Sequence, residues 1–220
     1  MYVETMTLGE IAKEIMKDKY YLVSKIGYEL ESQKYRKECL KLKDKAFHSF
    51  KRVDFTSKET GLEYHLIPYV FGKRDYLKNS AGFSLFVTFR KYNQLWTGFL
   101  YDYGTKVLFF TSHFFDRYEE REGQSSTGRL DLMTGFFTRN RAFCTFDYTH
   151  PDHPNSMFVS LVEGVGLGTK IEGSFVLVKT YVSNDMLYAG QANAQLVGLG
   201  MIEECYKNFA KGADYSIKAA

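Results

Sequence analysis

With 220 residues, 45% of them hydrophobic and 25% charged, the chain is long enough to bury a sizeable core without covalent staples. Its three cysteines, Cys39, Cys144 and Cys205, are odd in number and lack CxxC spacing, which points away from a disulfide scaffold and towards a reducing, cytoplasmic setting. Residues 1–20 carry Glu4, Glu10, Glu14 and Asp18 with no apolar run of signal-peptide length, and no stretch stays apolar long enough to span a bilayer, so neither secretion by that route nor a membrane partner is expected.

Formal net charge is +3, unevenly spread. Residues 17–52 hold eleven Lys or Arg against five acids, a local excess of +6 that leaves the remainder at −3. Such a segment attracts nucleic acid or an acidic partner, or is simply a solvated helix face.

The first 50 residues lack proline and read as helix. Thr7 is placed to cap a short helix through Met16, and a longer one is expected from about Asp18 to Ser49. Tyr21, Tyr28, Tyr35, Cys39, Leu42 and Ala46 recur near a helical period, the pattern of a stripe facing a core or a second copy of the chain. From residue 51 the texture changes to runs rich in Phe, Tyr, Val and Thr between Gly and Asn turn signals: "GLEYHLIPYVFG", "GFSLFVTFRKYNQLWTGFLYDYGTKVLFFTS", "RAFCTFDYT", "SMFVSLVEG" and "GSFVLVKTYVS". These predict strands, with "RKYNQLW" and "YDYGTK" as the short connections of antiparallel hairpins. Helices are expected at 113–122, near 128–138 and near 190–210. The fold class is therefore α+β: a mostly antiparallel sheet with N-terminal helices packed on it and a C-terminal helix, organised as a helical extension (1–50) and one α+β domain (51–220).

The most informative constellation is His113, Arg117 and Arg121 in "SHFFDRYEEREG". At 3.6 residues per turn they share one face, beside an apolar face of Phe114, Phe115 and Tyr118. Two arginines at i,i+4 repel by a few tenths of a kcal/mol (~0.2–0.5), so helix stability does not account for them. Thr111 or Ser112 can cap the helix and Gly123 can end it. An imidazole that titrates near neutrality beside two guanidinium forks suits metal-free RNA cleavage: an acid or base at the ribose hydroxyl or leaving oxygen, and cations at the phosphorane. The competing reading is a boundary histidine with arginines paired to Asp116, Glu119, Glu120 or other carboxylates.

A strand, a helix bearing His-x-x-x-Arg-x-x-x-Arg, and antiparallel strands ending in one with Lys and Thr resemble the small RelE and BrnT type ribonuclease toxins over about residues 106–183. The resemblance implies catalytic roles for His113, Arg117 and Arg121, extends them to Lys179 and Thr180 of "VLVKTYVS", and makes Arg141 a phosphate ligand. From a regular strand Lys179 and Thr180 could not both enter one cleft, because successive side chains face opposite sides. RNA is then the expected partner, approached through Lys37, Lys41 and Lys45 of the basic segment, with a protein inhibitor and a homodimer as further candidates. A non-enzymatic module docking a nucleic acid or acidic protein on the same cationic helix is the alternative.

Other motifs carry less. "THPDHP" offers His150, Asp152 and His153, an incomplete set for the four ligands of a zinc site, so no metal is expected. "EGVGLGTK" ends Gly-Thr-Lys and leads into a turn and strand, which fits a glycine-rich hairpin or bulge and fails as a phosphate loop. No nucleophile elbow or cofactor motif is present, so no cofactor is expected.

Overall fold

A computed structural model describes residues 1–43, 47–77, 81–101, 106–123, 126–148, 155–171 and 175–210. Thr7 caps α1 (Leu8–Lys17) through a capping box with Glu10. The expected long helix is instead two. α2 (Lys19–Leu30) stops at Glu31, and Ser32 starts α3 (Gln33–Leu40) by accepting from the Tyr35 amide. The break changes the phase of the apolar stripe. Leu22 and Ile26 are the buried residues of α2, whereas Tyr21 and Tyr28 lie outside the core; Tyr35 and Cys39 are buried, but from α3.

The strands are β1 (His48–Ser49), β2 (Val53–Thr56), β3 (Glu63–Val70), β4 (Gly82–Lys91), β5 (Gln94–Tyr101), β6 (Lys106–Phe110), β7 (Cys144–Asp147), β8 (Ser156–Ser160), β9 (Gly164–Lys170) and β10 (Val176–Ser183). The remaining helices are α4 (Lys73–Leu77), α5 (Ser112–Glu122), α6 (Arg129–Arg139) and α7 (Ala189–Ala210). One sheet runs β1-β3-β4-β5-β6-β10-β9-β8-β7, with β2 also paired to β3. Among the described residues only β6 and β10 pair in parallel, and the other pairs are antiparallel. The fold is thus α+β with a mostly antiparallel sheet and a C-terminal helix. Tyr92 and Asn93 both take positive φ, as a two-residue hairpin turn between β4 and β5 demands.

Alternation along the strands divides the core. Leu85, Val87, Trp96, Leu100, Val107 and Phe109 face one side and meet Ile11, Ile15, Leu22 and Ile26, so α1 and α2 cover that face. The intervening Phe86, Phe99, Leu108 and Phe110 face the other and meet Phe114, Phe115 and Tyr118 of α5 and Phe136 and Phe137 of α6. Burying each of these side chains contributes about 1.5–3 kcal/mol, and edge-to-face pairs such as Phe114–Phe136, 5.3 Å between centroids, about 0.5–1.5 kcal/mol more.

The helical N-terminus is fixed by a buried carboxylate. Asp18, between α1 and α2, accepts hydrogen bonds from Ser57 (2.6 Å), Thr60 (2.5 Å) and Tyr64 (2.7 Å). The glycine-rich segment begins with a turn in which the Leu161 amide donates to the Gly164 carbonyl, then continues as β9. Its glycines make room: a Cβ on Gly166 would meet Val178 Cγ1 at 2.6 Å, and one on Gly168 the Leu177 carbonyl oxygen at 2.1 Å. The irregularity lies opposite, as a register shift in β10 between Val178 and Thr180. Among the described residues no helix is long and apolar enough to cross a membrane.

Candidate nucleic-acid interface

α3 turns Tyr35 and Cys39 inward against Phe50 and Val70, and this small core decides which way its charges point. Lys34, Arg36, Lys37 and the C-cap residue Lys41 are exposed, and none has a carboxylate partner among the described residues. The chain beyond α3 returns to the same place: the Lys73 amide donates to the Lys43 carbonyl at 3.1 Å, setting Lys73 and Arg74 of α4 beside the end of α3. Burial pushes the Cys39 thiol up to about 11, so it stays protonated and acts as a small apolar side chain. Lys45 lies outside the described residues. Lys73 and Arg74 were missed from the sequence, and "GKRDY" gave only the weak signal of a basic pair between two strands.

On α5, Thr111 caps by accepting from the Phe114 amide and Gly123 ends the helix at φ 61°. Two ties lay the helix along β10. The Thr111 amide donates to the Val178 carbonyl and its hydroxyl to that of Lys179, while Arg121 donates to the Tyr181 carbonyl. The structure therefore brings the His113, Arg117 and Arg121 face alongside the strand bearing Lys179 and Thr180. Lys179 is the extra residue at the register shift, so the strict alternation assumed for a regular strand does not hold there. Both His113 and Lys179 are exposed. The arginines are engaged: Arg117 pairs with Glu120 at 2.7 Å, and Arg121 holds β10. Asp116 pairs with Arg129 of α6. No described side chain orients the His113 ring.

Behind this face lies a buried polar cluster. Tyr118 donates to Glu163, Arg139 donates to both, and Tyr181 donates to Glu122 and to the Glu163 carbonyl. Burial first, then the adjacent carboxylates, pushes both phenols well above the ordinary tyrosine range, so they remain donors. The cluster fixes the β8–β9 turn against α5 and α6.

Arg141 lies just ahead of β7 with its guanidinium among rings, 3.8 Å from the Phe47 centroid, 5.2 Å from Tyr206 and 5.4 Å from Tyr69. Its Nη1 donates to the Thr138 carbonyl at 2.6 Å. It is thus separated in role from the α5 stripe, holding chain segments together by cation–π contact.

A site that the sequence did not disclose joins β2, β3 and β4. His65 Nδ1 is 2.7 Å from Asp54 and Nε2 is 2.9 Å from Thr88, while Arg52 grips Asp54 and reaches Thr134 of α6. Burial outweighs the carboxylate and lowers the His65 pKa. Burial also opposes ionisation of Asp54, but hydrogen bonds from Arg52 and His65 prevail and lower its pKa. The connectivity is that of an acid–base relay, and Asp54, Glu63 and His65 line a cavity of about 260 Å³. Thr88 is not among the lining residues and is buried, so its hydroxyl does not face a substrate there. A mid-strand histidine gives no sequence signal for such a pairing, because Asp54 is brought opposite only by the β2–β3 register.

His150, Asp152 and His153 lie outside the described residues. Among those described, no group of three or more His, Cys, Asp or Glu is placed to hold a metal ion. No family model matches the chain, nor does any curated protein or solved structure.

Proposed function

We propose that the chain is a non-enzymatic RNA-binding module that docks phosphates on the α3–α4 face. The observation that carries this reading is the set of exposed cations Lys34, Arg36, Lys37 and Lys41, which have no carboxylate partner among the described residues. Unpaired cations of this kind displace the counterions condensed on RNA phosphates, and that release favours binding. α2 adds exposed rings, Tyr20 at 81% and Tyr28 at 70% exposure; Lys25, 5.5 Å from the Tyr28 centroid, is already paired with Glu29 at 3.1 Å. Rings beside cations suit single strands, whose bases are free to stack.

The ribonuclease reading stands second. It is favoured by the placement of His113 and Lys179 on adjoining elements, with α5 tied to β10, and it retains the roles that the toxin resemblance gives to Arg117, Arg121 and Thr180. Against it, general acid–base work calls for an oriented imidazole, and His113 is exposed without a partner among the described residues. One experiment separates the two. Labelled single-stranded and duplex RNA are incubated with the protein in EDTA, and anisotropy and cleavage are followed together. The binding reading expects salt-sensitive retention of intact single strands. Absence of binding at low salt overturns it. Cleavage that disappears in His113→Ala, with the melting temperature unchanged, would transfer the function to α5.

A further inference from the structure

We propose that Cys144, Met201 and Cys205 form a three-sulfur site for a soft monovalent metal ion, Cu(I) by chemical class, at the junction of β7 and α7. The site is independent of the RNA reading. Cys144 opens β7, and its Sγ lies 3.4 Å from Met201 Sδ. Met201 and Cys205 are four residues apart within α7 and so share one face of that helix, one turn from each other. The helical spacing thus sets Cys205 one turn from the methionine that Cys144 already touches. Cys205 is exposed and Met201 half-exposed, which leaves an ion a path of entry.

The donor set selects the metal. Two thiolates and a thioether without carboxylate or imidazole favour Cu(I), whereas a structural zinc site needs four donors. At a metal–sulfur distance of about 2.3 Å, a trigonal plane sets the sulfurs about 4.0 Å apart. The Cys144–Met201 pair must therefore open by about 0.6 Å from its 3.4 Å contact, a shift that the three rotatable bonds of Met201 allow. On binding, each thiol loses its proton to water and the copper remains monovalent; no electron is transferred.

A second observation points into the same place. The Tyr101 hydroxyl is buried and, among the described residues, donates to no acceptor, although a buried phenol normally finds one. Tyr101 meets the Phe143 ring edge-on, 6.1 Å between centroids, and Phe143 directly precedes Cys144; burial above all raises the Tyr101 pKa, against a hydrogen bond from the Phe143 backbone that lowers it. A thiolate there would accept the hydrogen bond that the hydroxyl lacks, and outer-shell donors of this kind tune a bound metal.

The test is an anaerobic titration of the fully reduced chain with Cu(I) delivered from its bicinchoninate complex, read as colour lost from the competitor. One ion per chain is expected, with X-ray absorption showing three sulfurs at about 2.3 Å. Cys144→Ser and Cys205→Ser should each weaken binding about a hundredfold or more, and Tyr101→Phe about tenfold. Met201→Leu should reduce the sulfur count to two. Cys39→Ala, which removes a buried thiol in another cluster, should bind as the parent does. Melting curves establish that each variant is folded. Parent-like binding by either serine variant, binding lost with Cys39→Ala, or a sulfur count unmoved by Met201→Leu overturns the site.

Discussion

Replacing Lys34, Lys37 and Lys41 together by glutamine tests the α3 face directly. Glutamine keeps nearly the helix propensity of lysine, and the three side chains are exposed without ion pairs among the described residues, so stability should change by no more than about 0.5 kcal/mol. Each phosphate contact with a single strand contributes about 0.7 to the slope of log K against log salt, and three amount to about two units. Between 50 and 200 mM salt the parent should lose about 20-fold more affinity than the variant. Anisotropy of a labelled single strand, titrated at four or more salt concentrations, measures the difference. A parallel line for the variant, equally steep and only displaced, would refute the assignment of these lysines to phosphates. Equal slopes and equal affinities would return α3 to the status of a solvated face.

Asp18→Ala should cost about 3–5 kcal/mol, because it strands the buried hydroxyls of Ser57, Thr60 and Tyr64; a urea midpoint shifted by less than the equivalent of about 1 kcal/mol would show that they find other acceptors. His65 gives a pH signature: burial lowers its folded pKa, so the unfolded chain takes up the proton first as pH falls, and stability is complete above the unfolded value of about 6.5 and declines below it. His65→Gln, which cannot titrate, should remove that decline in denaturation curves taken between pH 7.5 and 5.5; an unchanged decline would place the acid sensitivity elsewhere. Asp54, with its pKa lowered, loses its contribution only at lower pH, in the carboxylate range, so the two effects separate along the pH axis. His113→Ala should leave the melting temperature unchanged, since the ring is exposed and has no partner among the described residues, and a drop of several degrees would reveal a packing role.

What the sequence discloses and what it hides divide along the range of the interactions. α5 was legible to within a residue because its signals are local: Thr111 before it, Gly123 after it, and Phe114, Phe115 and Tyr118 at helical spacing. The hairpin at Tyr92 and Asn93 was legible for the same reason. The break at Glu31 and Ser32 was not. A helical period carried through it made one stripe of Tyr21, Tyr28 and Tyr35, although Ser32 is itself a cap whose oxygen takes the Tyr35 amide. β9 was obscured by composition. Gly164, Gly166 and Gly168 resemble a turn until Val178, Tyr181 and the β10 backbone are seen to fill the space their side chains would need.

The candidate surfaces follow the same division. The cationic spacing of α5 is visible in one dimension, but its engagement is not: Arg121 reaches the Tyr181 carbonyl across 60 residues of chain, and Asp116 is neutralised by Arg129 of the next helix. Arg141 has the residue type of a phosphate ligand, yet the rings of Phe47, Tyr69 and Tyr206, each remote in sequence, surround it. On α3 the inference runs the other way. Lys37 and Lys41 were already expected to approach RNA from the basic segment, and the burial of Tyr35 and Cys39 turns them outward together with Lys34 and Arg36, without carboxylate partners among the described residues. Charge that folding has already matched is poorly placed to bind an anion, since a ligand must first displace the internal carboxylate or carbonyl. Charge that folding leaves unmatched carries no such cost. That difference shifts the weight of the functional reading from α5, whose motif is the more conspicuous in the sequence, to α3, whose cations are unpaired among the described residues.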